Sequence, residues 1–117
     1  MSLTLTPEIL RATYALLDST PPFSGWNLPD ADDVVFKVVR DPNLCAWYQM
    51  QKGRHVIAVS SAKIGRTFAL VEAMAHEMIH VHEEHNRFCR PRVQHGTAFN
   101  RLAERVCKIH GFDPKLF

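Results

Sequence analysis

The chain has 117 residues, 46% hydrophobic and 22% charged, with a formal net charge of +2. That length suits one core rather than two, so residues 1–117 read as a single domain, and so small a charge does not by itself imply a nucleic-acid or membrane partner. Cys45, Cys89 and Cys107 lie far apart and form no C-x-x-C pair, which argues against a disulfide framework or a zinc ribbon. No apolar run approaches the roughly 18 residues that span a bilayer and no secretory leader opens the chain, so a cytoplasmic protein is expected.

Thr6, followed by Pro7 and Glu8, is a helix start, because its hydroxyl can cap free amides and proline is tolerated at the first helical position. Ile9, Leu10, Thr13, Leu16 and Leu17 then recur at helical spacing up to Asp18. Residues 19–33, "STPPFSGWNLPDADD", are turn chemistry with Phe23 and Trp26 as anchors. Three segments rich in β-branched and aromatic residues follow, at 34–40, 44–50 and 54–60, separated by "DPN" and "QKG". They predict a small three-stranded antiparallel sheet. A second helix is expected from about Thr67 to His85, and a third from about His95 to His110, closed by Gly111 and Pro114. The fold class is therefore α+β.

The second helix carries "HEMIH", residues 76–80. At about 100° per residue, His76 and His80 project about 40° apart, one turn above the other. That spacing suits two imidazoles on one metal ion, and Glu77 between them completes the H-E-x-x-H pattern of zinc hydrolases. Imidazole is a good ligand for zinc, and a carboxylate beside the metal can take a proton from water acidified by it. Phe68, Val71, Met74, Met78, Ile79 and Val81 fill the other sides, so this helix should be buried and its polar groups need partners. His82, Glu84 and His85 fit an ordinary solvated helix end. Glu72 and Glu83 lie within about 40° of His76 and either hold the second nitrogens of the ligands or belong to a solvated end of the helix.

A catalytic zinc takes three protein ligands and leaves one position to water. Two residues of the third helix compete for the third place. His95 shares the apolar stripe with Phe99, Leu102 and Val106, whereas Glu104 falls about 180° away on the opposite face. Phase favours His95, whose other role would be to cap the helix start, and Gly96 beside it permits close backbone approach. Arg101, Arg105 and Lys108 form one stripe on this helix, either a solvated face or a contact for the phosphates of DNA.

"HEMIHVH" and, fifteen positions after His80, "HGTAF" resemble the SprT-like metallopeptidase domain, the Spartan-related family. The resemblance covers roughly residues 6–112, although its specific part is the two quoted segments. It implies a zincin-like α+β fold, His76, His80 and His95 as ligands of Zn2+, and Glu77 as the catalytic glutamate. The zinc ribbon or DNA-binding segments of many relatives have no counterpart in these residues. The expected activity is peptide-bond hydrolysis with Glu77 as general base, on proteins or peptides that include DNA-associated ones. Residues 54–61, directly before the active helix, are the expected edge strand for the substrate. Tyr48, His82 and His85 are candidates for stabilising the oxyanion. The alternative is a non-proteolytic zinc- or DNA-binding module with a structural metal, closed by Glu83 or His85 as fourth ligand.

Overall fold

A computed structural model describes residues 4–86, 96–115 and 117. Helix α1 spans Pro7–Asp18, strands β1, β2 and β3 span Val34–Val39, Ala46–Gln51 and Arg54–Ser60, and helices α2 and α3 span Thr67–Asn86 and Thr97–His110. The start of α1 follows the local chemistry of its first residues. Thr6 is extended and its side chain accepts from the Ile9 amide, with Pro7 in the first turn. Leu10, Thr13, Tyr14 and Leu17 form its buried face, and Leu16, placed on that face by spacing alone, is 60% exposed. Between α1 and β1, Phe23 is fully buried and Trp26 packs edge-on against it at 5.0 Å, so both anchors of this loop hold.

The sheet corrects the expected topology. Its strand order is β1-β3-β2, with β2 antiparallel to β3 but β1 parallel to it. The sheet is therefore mixed, and residues 54–60 form its centre rather than an edge. The physical reason is visible in β3 itself: Val56, Ile57, Ala58, Val59 and Ser60 are all buried, and a strand apolar on both faces belongs between two others. The β2–β3 link is a tight hairpin with Lys52 and Gly53 both at positive φ, 51° and 77°, the backbone of a type I′ turn. The segment around Asp41 instead crosses over the end of β3. There Ser60 donates its hydroxyl to the Asp41 carbonyl at 2.7 Å and accepts from the Asp41 amide at 3.0 Å.

Register decides which residues face the helices. Phe36, Ile57 and Tyr48 lie side by side across the three strands. Phe36 meets Tyr14 of α1 at 5.6 Å, and Tyr48 stacks on His80 of α2, so both helices cover the same face of the sheet. The core is built there from Leu10, Tyr14, Ile57, Val59, Leu70, Met74, Met78, Ile79, Phe99 and Val106. Each large side chain fully buried in it contributes about 1.5–3 kcal/mol. Helix α3 ends as expected, with Gly111 left-handed at φ 79° and its amide bonded to the Cys107 carbonyl. Among the described residues no helix is long and apolar enough to cross a membrane.

Candidate metal and catalytic site

Helix α2 is buried at its middle, as its apolar circumference predicts. Met74, Ala75, Met78, Ile79 and Val81 are fully buried, although Phe68, at the first turn, is 63% exposed and packs only edge-on against Phe112. The i, i+4 spacing brings the His76 and His80 rings to 5.3 Å between centres, with planes 65° apart. Two imidazoles bound to one zinc at about 2.1 Å with a tetrahedral angle have ring centres about 5.2 Å apart. The pair therefore has the separation that a shared ion requires.

The rings are held by neighbours from three elements. Phe99 of α3 lies against both, at 5.0 Å from His76 and 4.6 Å from His80. Nδ1 of His76 lies 2.8 Å from the backbone oxygen of Phe117. A backbone oxygen only accepts, so Nδ1 carries the proton and Nε2 the lone pair, the tautomer that binds metals. Nδ1 of His80 lies 3.6 Å from the buried carboxylate of Glu83, one turn on. Helical phase thus brings Glu83 beside His80, at a separation longer than a hydrogen bond. Glu72 does not do the same for His76, where the chain near its C-terminal residue supplies the acceptor.

Glu77 is 5% exposed, and among the described residues no hydrogen bond or ion pair reaches its carboxyl. Burial pushes its pKa up to about 8, because the charged form loses its hydration. Together with His76, Cys45, Ala46 and Ile64, it lines a groove of about 370 Å³. A second groove of about 490 Å³ lies on the other side of His76 and is lined by Asn100, Glu104 and Cys107, and Phe117 borders both. A buried acid opening on the same cavity as an imidazole suits a cation and a proton acceptor at one place.

Not all the expected site residues come together. His95, the proposed third ligand, lies outside the described residues, as does Cys89. Among the described residues no group of three or more His, Cys, Asp or Glu is arranged to hold a metal ion. Glu104 is exposed, as its phase predicts, but it borders the groove beside His76. Arg101, Arg105 and Lys108 are exposed along α3. His85 lies against His55, at 5.7 Å between ring centres.

His82 corrects the expectation of a solvated helix end: it is 5% exposed and stacked on Trp26. Glu84 and His85 are exposed. Burial, then the nearby His85, lowers the His82 pKa to about 4, so the ring is neutral at neutral pH. One pair escaped the sequence reading altogether. The Tyr48 hydroxyl and His55 Nδ1 are 2.6 Å apart, and burial followed by the charge of Glu84 pushes the phenol pKa up. A signal for it existed, because a two-residue hairpin at Lys52–Gly53 sets a register in which Tyr48 and His55 are diagonal neighbours on one face.

No protein-family model matches the chain, and no curated protein matches it.

Proposed function

We propose that the protein is a zinc-dependent metallopeptidase of the SprT-like, zincin-like type. The observation that carries this reading is the His76–His80 pair at a metal-sharing separation, with the buried Glu77 carboxyl opening on the same groove as His76. The residues fit the ion: His76 and His80 would hold it, with His95 as third ligand. Phe99, which touches both imidazoles, brings the start of α3 to the pair, and His95 is proposed from the sequence motif. When bound, zinc supplies Lewis acidity that polarises a peptide carbonyl and acidifies water.

The chain's own residues do the rest. Glu77, whose carboxylate form a bound cation would favour against burial, would accept a proton from the attacking water and pass it to the leaving amine. The backbone oxygen of Phe117 holds the His76 ring in orientation, and the Glu83 carboxyl lies 3.6 Å from His80 Nδ1. The edge suited to an extended substrate is β2 rather than residues 54–61, because β2 is an outer strand and its Tyr48 stacks on His80 at 6.4 Å. Tyr48 is then the best placed of the three oxyanion candidates, since His82 is stacked on Trp26 and His85 faces His55. DNA-associated proteins are a proposed substrate class, with the exposed Arg101, Arg105 and Lys108 as phosphate contacts.

Elemental analysis combined with cleavage of casein, with and without single-stranded DNA, tests the proposal on wild type and Glu77→Gln. Both forms should bind zinc at His76 and His80, and only wild type should cleave. Zinc in both with cleavage in neither would favour a structural-metal module, and absence of zinc after remetallation would overturn the metal site.

A further inference from the structure

At the far end of α2, His85 and His55 come together from elements well separated in sequence. Their ring centres are 5.7 Å apart and their planes 66° apart. Two imidazoles sharing one ion at about 2.1 Å have ring centres between about 5.2 Å, at a tetrahedral angle, and about 6.4 Å, when opposed. The observed distance falls inside that window, at an angle of about 125°. His85 is exposed and His55 half-buried, so an ion can reach both from solvent.

The His55 ring is held in place by a neighbour on β2. Tyr48 lies 2.6 Å from His55 Nδ1 and fixes the ring. In the tautomer whose Nδ1 donates to the phenol oxygen, Nε2 presents its lone pair, the outer-shell arrangement of histidine ligands in metal proteins.

We propose that His55 and His85 form a second metal site, separate from the His76–His80 pair, for a divalent ion of the imidazole-preferring class: zinc, nickel or copper. Two protein ligands leave the remaining positions to water, so it is the weaker and more exchangeable of the two sites. An ion there clamps the start of β3 to the end of α2. It also sits one residue away from the site proposed above, through Tyr48, which bonds His55 and stacks on His80. The inference does not depend on proteolytic activity.

Equilibrium dialysis of the full chain against Zn2+ at neutral pH, after chelation, gives the test. Wild type should bind two ions per chain, and His85→Gln, a change at an exposed position, should bind one. The paired variant His55→Gln/His85→Gln should match it, and His76→Gln/His80→Gln should keep one ion. Ring signals of His55 and His85 should shift in the NMR spectrum with the weaker equivalent. One ion in wild type, lost in His85→Gln but kept in His76→Gln/His80→Gln, would leave this site standing and overturn the proposed catalytic one. Unchanged stoichiometry in His85→Gln, with unmoved His55 and His85 signals, would overturn the second site.

Discussion

The imidazole of His82 lies flat on the indole of Trp26, with 4.2 Å between ring centres and 14° between planes. This contact ties the loop after α1 to a buried position of α2, where burial and then the nearby His85 keep the histidine neutral. Its pKa falls from 6.5 to about 4 on folding, so between those values the unfolded chain takes up a proton that the folded chain refuses. The stabilisation is complete above pH 6.5 and is lost as pH falls toward 4, by about 2–3 kcal/mol. His82→Phe keeps a flat ring on Trp26 and removes the titration. Thermal melts of the metal-free protein between pH 4 and 7 should show a shallower acid limb in the variant, and an unchanged slope would contradict the assignment.

Glu77 acts in the opposite sense. Its carboxyl ionises near 4.5 in the unfolded chain and near 8 when folded, so stability is fully present below pH 4.5 and declines as pH rises to 8. The loss is about 3–5 kcal/mol in metal-free protein. Glu77→Gln carries no such charge and should be more stable than wild type at pH 8 and closer to it at pH 5. Urea titrations at the two pH values measure the difference, and parallel behaviour of the two proteins would show that the carboxyl is better solvated than its burial implies.

Zinc should reverse the alkaline weakness of wild type. An ion held only by the folded chain stabilises it by about 4 kcal/mol at a free concentration a thousand times the dissociation constant. His76→Gln and His80→Gln should each abolish most of the rise in melting temperature, and His95→Gln should do so equally if it completes the site. A His95→Gln protein that responds to zinc as wild type does would remove that residue from the ligand set and direct attention to Glu104, which borders the groove beside His76.

Ser60 reports on the topology. It is fully buried, and its hydroxyl serves both the amide and the carbonyl of Asp41 where the chain passes over β3. Ser60→Ala strands both groups and should cost about 1–3 kcal/mol. Equilibrium unfolding measures it, and a cost near zero would mean that the crossover does not depend on this side chain.

Local signals made most of the elements legible. The Thr6–Pro7 start, the α2 span and the Gly111 stop each follow from residues within a turn of the boundary, and all three recur in the structure. The metal-ligand spacing of His76 and His80 is equally local, fixed by the pitch of one helix. Strand order was not legible in the same way, because "DPN" and "QKG" both look like hairpin turns and only the second is one. The cue was the unbroken apolar run of β3, which marks a central strand and was outweighed by the chain order. Partners supplied by distant segments were also hidden: Phe117 on His76, and Trp26 on His82, depend on how loops return to α2.

The placement of β3 also dictates an assembly order. Among the described residues, strands β1 and β2 share no ladder with each other, since each pairs with β3, the last of the three to be synthesised. No sheet hydrogen bond can therefore form until Arg54 and the residues after it have left the ribosome. The β2–β3 hairpin closes locally around two residues, whereas joining Val34 to His55 must close a loop of about twenty, at a greater entropic cost. The hairpin is thus the natural nucleus, with β1 docking onto it afterwards, and a nascent chain ending at Gln51 holds two strands with nothing yet to pair with.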